Sequence, residues 1–226
     1  VILGVSHLAI RSRALDADRQ ALESQGWVTA FVDHDVRVHA FERPFLSPSH
    51  GDTQSLVLLR QPRVPAVELV APVLTPPERA HHTRLDLDAA AQGRLHGTLE
   101  VPDAAACQAL FLECFGFRRT GGDEARVEVE LRRPLAQWSM GLTLRQGVAA
   151  QPMPTQDSEG WFVLALFTSD VAADAERARK YDVAAVTQPF VTRVSGQRWT
   201  IALVILRSGF AIELLQPSAD ATAGGE

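Results

Sequence analysis

Four side chains in this 226-residue chain could carry metal or proton chemistry: His7, Glu68, His96 and Glu213. Each stands in a short apolar run, namely Val5-Ser6-His7-Leu8-Ala9-Ile10, Val67-Glu68-Leu69-Val70, Leu95-His96-Gly97-Thr98-Leu99 and Ile212-Glu213-Leu214-Leu215. Side chains alternate across a strand. Leu8 and Ile10 therefore share a face that excludes His7, and Leu99 and Val101 share one that excludes His96. Val67 and Leu69 oppose Glu68, as Ile212 and Leu214 oppose Glu213. If the apolar pairs pack on helices, all four polar groups project from the other side of the sheet. A carboxylate taken out of water there needs a partner, because left alone it costs several kcal/mol or takes up a proton. Arg60 or Arg207, each near a strand end, a backbone amide, water or a metal ion would serve. A neutral imidazole with carboxylates suits a divalent ion such as Fe, Mn, Ni, Co or Zn, which would polarise a carbonyl or enolate or bind dioxygen. A strand histidine serves equally as a hydrogen-bonded core or surface residue, so both readings stay open.

Three segments share one outline: a short strand, a helix, then several strands. The first opens at Val5 and is read with a helix over 14–25 closing on Gly26, then strands near 36–41, 55–60 and 66–70. The second opens at Leu95, with a helix over 104–115 closing on Gly116 and strands near 126–132 and 140–146. The third opens at Val163, with a helix over 171–181 and strands near 184–186, 200–206 and 211–215. The second unit is expected to be short of its final strand, because 148–159 is rich in Pro, Gln and Ser and reads as loop. The expected division is 1–74, a linker at 75–92 carrying Pro76-Pro77 and His81-His82, a truncated βαββ unit at 93–156, a third unit at 157–217 and a tail at 218–226. Such elements define an α+β class.

The pattern His-x-x-apolar-x-apolar, a helix ending in Gly-aromatic, and a closing apolar-Glu-Leu resembles the vicinal oxygen chelate superfamily of glyoxalases, bleomycin-resistance proteins and extradiol dioxygenases. His7, Gly26-Trp27 and Glu68-Leu69 carry it in the first unit, His96 and Gly116-Phe117 in the second, and Gly209-Phe210 with Glu213-Leu214 in the third. The resemblance implies βαβββ modules paired so that curved mixed sheets enclose a cup, with helices outside. It further implies one divalent metal held by opening-strand His and closing-strand Glu, here His7, His96, Glu213 and Glu68, with the unligated carboxylate acting as a base. Some members lack the metal and bind antibiotics. Two departures weigh on the ligand set: Val163 stands where the third unit would place its His, and the second unit shows no closing Glu.

The expected function is accordingly a metal-dependent lyase, isomerase or dioxygenase acting on a small oxygenated metabolite. The rival is a metal-free module that binds an antibiotic or a biosynthetic intermediate. A net charge of −5 and a single Lys argue against nucleic acid as a partner, and no apolar run is long enough to span a membrane. Cys107 and Cys114 lie on one predicted helix, with Cα atoms roughly 10.5 Å apart, beyond the roughly 7 Å that a disulfide bridges. They read as reduced thiols of a bacterial-type cytoplasmic protein. An odd module leaves a curved face whose apolar surface would find a partner, so a homodimer is expected. His34, His39, His50, His81 and His82 read as surface or loop residues. Trp27, Phe31, Phe41, Trp138, Trp161 and Trp199 are candidates for lining the cup, although aromatics on strands more often belong to the core.

Overall fold

The computed structural model describes residues 1–71, 83–87, 94–123, 125–132, 139–147 and 155–218, with the backbone alone at 94, 132 and 139. Pro76-Pro77, His81-His82, Trp138 and the tail from 219 onward lie outside the described residues. The first module consists of β1 (Ile2–Arg11), α1 (Leu15–Ser24), β2 (Val28–Arg37), β3 (Thr53–Arg60) and β4 (Ala66–Ala71). A short strand, β5 (Thr83–Asp86), follows within the expected linker. The second module runs through β6 (Arg94–Val101), α2 (Ala104–Ala109) continued by a π turn over Leu110–Cys114, β7 (Arg118–Gly122), β8 (Arg126–Arg132) and β9 (Ser139–Gln146). The third has β10 (Gly160–Thr168), α3 (Val171–Ala178), β11 (Ala185–Val186), β12 (Phe190–Val194), β13 (Gln197–Ile205) and β14 (Ala211–Pro217).

Local chemistry sets these boundaries. Asp103 and Asp170 cap α2 and α3, accepting hydrogen bonds from Ala106 N and Ala173 N at 2.9 Å. Gly26 and Gly116 end the first two helical stretches at φ of 89° and 72°, a region other residues avoid.

The first and third modules form one nine-stranded sheet and the second a five-stranded sheet of its own. In the larger sheet β1 runs antiparallel to β10, and each opening strand runs parallel to its own closing strand, β4 or β14. The pairs His7↔Ala165 and Ala9↔Val163, with Ala9↔Glu68 and Ala165↔Glu213, reveal a pseudo-twofold axis between the opening strands. It exchanges His7 with Val163 and Glu68 with Glu213. The sheet curls until its ends meet: Ser195 N donates to Asp33 at 3.0 Å, and His39 stacks on Phe190 at 4.4 Å. The result is a nearly closed cup.

Its two faces follow the expected parity. Leu8, Val67, Leu69, Leu164, Leu166, Ile212 and Leu214 pack into the helix-side core, whereas Ala9, Leu56, Val163, Ala165, Leu203 and Leu215 form the cup side.

Several sequence expectations are corrected. The second module is a full βαβββ unit, because β7 was overlooked; Arg118-Arg119-Thr120-Gly121-Gly122 has no apolar alternation to announce a strand. Its closing strand is β9, and Thr143, paired with Thr98, occupies the place of Glu68. The strand expected near 36–41 is β2 at Val28–Arg37, whose side chains are half-exposed to exposed and lack a buried pattern. Among the described residues the unpaired module does not present an apolar face: its cup side carries Arg84, Asp86, His96, Thr98, Thr143 and Arg145, and β5 covers the edge of β6. That polar face gives no apolar surface on which a homodimer would form.

The second module joins the others through the shared helix-side core. Trp161 of β10 lies against Gly97 of β6, and a Cβ built on Gly97 would fall 2.2 Å from the indole. Gly97→Ala should therefore destabilise the protein by about 1–3 kcal/mol through overpacking. Urea denaturation checks this, and an unchanged midpoint would show that the indole can move aside.

Candidate functional site

The parity of the strands brings His7, Glu68 and Glu213 together on the floor of the cup. His7 Nε2 lies 3.6 Å from Glu68 Oε2 and 3.3 Å from Glu213 Oε2, with side chains 13%, 15% and 15% exposed. Ser6, the extra residue of a β-bulge in β1, meets His7 Nδ1 at 3.2 Å. Nε2 itself is buried with no hydrogen bond of acceptable geometry. Burial alone would lower the His7 pKa, but the Glu68 and Glu213 carboxylates outweigh it and push it up to about 9. The Glu68 carboxyl is raised, chiefly by burial.

These three side chains fit a divalent ion in donor type, one imidazole and two carboxylates. Their spacing is that of an ion pair: among the described residues no three His, Cys, Asp or Glu groups form a ready-made metal cage. The surroundings of Nε2 are anionic and favour a positive charge there.

His96 does not join the other three. It lies on the separate sheet of the second module, exposed, with Nε2 at 2.9 Å from Thr143 Oγ1. The contact repeats that of His7 with Glu68, but a threonine hydroxyl replaces the carboxylate and supplies no charge for a cation. Nor do the arginines act as foreseen. Arg207 pairs with Asp182 at 2.6 Å, and Arg60 lies on the cup wall without an ion pair to either Glu among the described residues.

The cup holds a cavity of about 420 Å³, within the usual range for small-molecule sites. Sequence reasoning missed three of its charged residues, Arg11, Glu42 and Arg37, the last at the end of β2. Arg11 follows His7 and Ala9 on the cup-facing side of β1 and is 4% exposed. Its Nε donates to Gln156 O at 2.7 Å and its Nη1 to Gln54 Oε1 at 3.0 Å, while the guanidinium sits 4.7 Å from the Phe162 ring. The alternation that singled out His7 also points to Arg11, two steps along the strand.

Glu42 enters from the long loop between β2 and β3, where no periodic pattern could announce it. Its Oε2 accepts from His39 N at 2.6 Å. The loop is fastened by Asp157, which accepts from Ser47 N at 3.1 Å and lies 3.5 Å from His50. His50, expected on the surface, is thus buried. Of the candidate aromatics, Phe31 and Trp199 line the cavity; Trp27 and Trp161 belong to the helix-side core, and Phe41 stacks on His39.

No family model matches the sequence, and no curated protein does. Solved structures with a similar fold include glyoxalase I from Zea mays, 16% identical, covering 96% of this chain and 68% of that one at a TM-score of 0.39. TnmS3, an antibiotic binding protein from Streptomyces sp. CB03234, is 24% identical over 54% of this chain and 93% of that one, at 0.36. The bleomycin-binding protein of Streptomyces verticillus is 18% identical over 52% and 89%, at 0.33. All three are vicinal oxygen chelate proteins. At such scores the likeness carries no argument about the site, and the assignment of paired modules rests on the strand register above.

Burial raises the Glu42 carboxyl from 4.5 to about 7, with backbone donation from His39 and the charge of Arg11 opposing it and Glu213 and Glu68 adding to it. A carboxyl whose pKa is higher folded than unfolded stabilises the fold most at low pH. That contribution is lost as pH rises from about 4.5 through 7. Glu42→Gln should flatten this part of the stability–pH curve by at most about 2–3 kcal/mol. Melting temperatures of both proteins at pH 5 and pH 8 test it; parallel curves would place the Glu42 carboxylate in water.

Proposed function

We propose that the cup is a small-molecule site at which His7, Glu68 and Glu213 hold one divalent metal ion, in an enzyme of the lyase, isomerase or dioxygenase type. The observation that carries this reading is the buried Nε2 of His7, without a hydrogen bond, set between two carboxylate oxygens at 3.3 and 3.6 Å. When bound, such an ion supplies Lewis acidity to a carbonyl or enolate oxygen, or a place for dioxygen. The chain's own groups do the rest. The apolar walls exclude water, Arg11 and Gln54 offer donors at one end, and Glu42 holds or yields a proton near neutral pH. Either floor carboxylate, if left off the ion, is placed to act as a base.

The second reading, a metal-free binding cup, is favoured by Val163, which puts an apolar side chain where the pseudo-twofold axis calls for a second imidazole. In both readings the cup is completed within one chain by β1 and β10, so a homodimer would carry two whole sites. Both cysteines are free and buried, in keeping with a cytoplasmic setting. Among the described residues no helix is long and apolar enough to cross a membrane.

Protein purified without chelator should contain stoichiometric Fe, Mn, Ni, Co or Zn by elemental analysis. His7→Ala and Glu213→Gln should each lose it while the fold, read by circular dichroism, is kept. Full occupancy in His7→Ala would remove the imidazole from the ligand set, and an empty wild-type protein that resists loading would favour the metal-free reading.

A further inference from the structure

The pseudo-twofold axis that matches Glu68 with Glu213 also matches Arg11 with Phe167 and Gln54 with Trp199, since these stand at equivalent places in the register. The floor is therefore nearly symmetric while its two ends are opposite in chemistry. At one end are Arg11 and Gln54, linked at 3.0 Å. At the other are Phe167 and Trp199, with ring centroids 6.0 Å apart and planes 35° from parallel. All four side chains line the same cavity.

The polar end is a built one. A β-bulge at Phe162 turns that ring into the cup, where it supports the Arg11 guanidinium, and lets Trp161 face the second module. Neutral acceptors, Gln156 O and Gln54 Oε1, hold Nε and Nη1. Among the described residues, no carboxylate comes within ion-pair distance of this guanidinium, and none accepts from Nη2. Asp157, the largest charge acting on it, is itself engaged by Ser47 and His50. Glu68 faces His7, and Glu42 accepts from His39 N. A buried cation held by neutral groups at a cavity wall, with planar donors to spare, is a receptor for a planar anion.

We propose that the ligand of this cup is an aryl carboxylate, its carboxylate on Arg11 and Gln54 and its ring against Phe167 and Trp199, so that the body of the molecule crosses the His7–Glu68–Glu213 floor. The inference rests on the reading of the cup as the small-molecule site and adds which way the ligand lies and of what class it is. Arg11 and Phe167 stand at opposite ends of the opening-strand pair, Phe167 beside Gly4 and Arg11 beside Gly160. Seven residues of β1 separate those ends, roughly 23 Å between Cα atoms. Both side chains reach inward, so a ligand longer than benzoate is required.

The test uses ω-phenylalkanoates of increasing chain length, their neutral amides and the matching ring-free alkanoates as probes, with binding to the whole protein measured by calorimetry. The acids should bind with an optimum at an intermediate length, and both the amides and the alkanoates should bind about tenfold or more weakly. Arg11→Gln should cut binding of the best acid to the level of its amide, and Trp199→Leu should cut it to that of the alkanoate. Equal affinity of acid and amide for the wild-type protein would overturn the proposal, and that comparison needs no variant to fold. Absence of saturable acid binding at millimolar concentration would overturn it as well. Metal content, measured on the same samples, separates the two readings: an empty protein that still prefers acid to amide and to alkanoate upholds the ligand class and defeats the metal. A metal-loaded protein without that preference does the reverse.

Discussion

The antiparallel pairing of β1 with β10 is the constraint from which the site follows. It lays two opening strands side by side about a local twofold axis at the Leu8–Leu164 pair, with Ala9 and Ala165 flanking it on the cup side and 2% and 0% exposed. Small side chains at the centre leave room above the floor. Each opening strand takes its own closing strand as a parallel neighbour, so Glu68 and Glu213 arrive from opposite sides at the same height. His7 then stands between them because β1 places it one pair from the axis. No loop needs to be positioned for these three groups to meet, since backbone hydrogen bonds fix all of them.

Two carboxylates brought together out of bulk water repel each other and lose hydration. The structure answers with two cations, the His7 ring between them and Arg11 farther along the same strand, and adds little further negative charge at Glu42, whose raised carboxyl can stay neutral near pH 7. The cup is thus an electrostatic unit. Arg11 itself is pulled down from 12.5 to about 10 by burial and remains charged at neutral pH. Removing any one of these groups alters the charge that the others experience. Site mutations should therefore be read together with pH.

Much of this was legible in the sequence, and the failures have a common form. Alternation of apolar and polar residues identified β1, β4 and β14 and put His7, Glu68 and Glu213 on one face, because those strands are buried on their helix side. The same rule failed for β2 and β7, whose side chains lie largely in solvent: burial along β2 alternates only between half-exposed and exposed, and neither strand alternates apolar with polar residues. Missing β7 hid the true closing strand of the second module and with it Thr143, the hydroxyl that stands beside His96 where the first module has a carboxylate. Which modules pair is a long-range fact that local pattern does not encode. Glu42 and His50 sit on a loop fastened by Asp157, more than 100 residues away, so composition alone made His50 a surface residue and left Glu42 unnoticed.

The second module repeats the architecture of the others, but in it Thr143 stands beside His96 where the first module has Glu68. Its helix-side core is continuous with that of the other two modules, and the contact is made through β10: Trp161 fills the space that Gly97 leaves open, and Thr83 Oγ1 donates to Trp161 O at 2.7 Å. Two residues beyond Trp161 the same strand supplies Val163 and then Ala165 to the floor. The bulge at Phe162 is what permits both roles, because it turns Trp161 outward and Phe162 inward beneath Arg11. Both side chains at the bulge are packed. Trp161 lies against the half-cup of the second module, and Phe162 lies against the guanidinium of Arg11. In this architecture the odd module packs against the same irregular stretch of β10 whose Phe162 underlies the polar end of the cup.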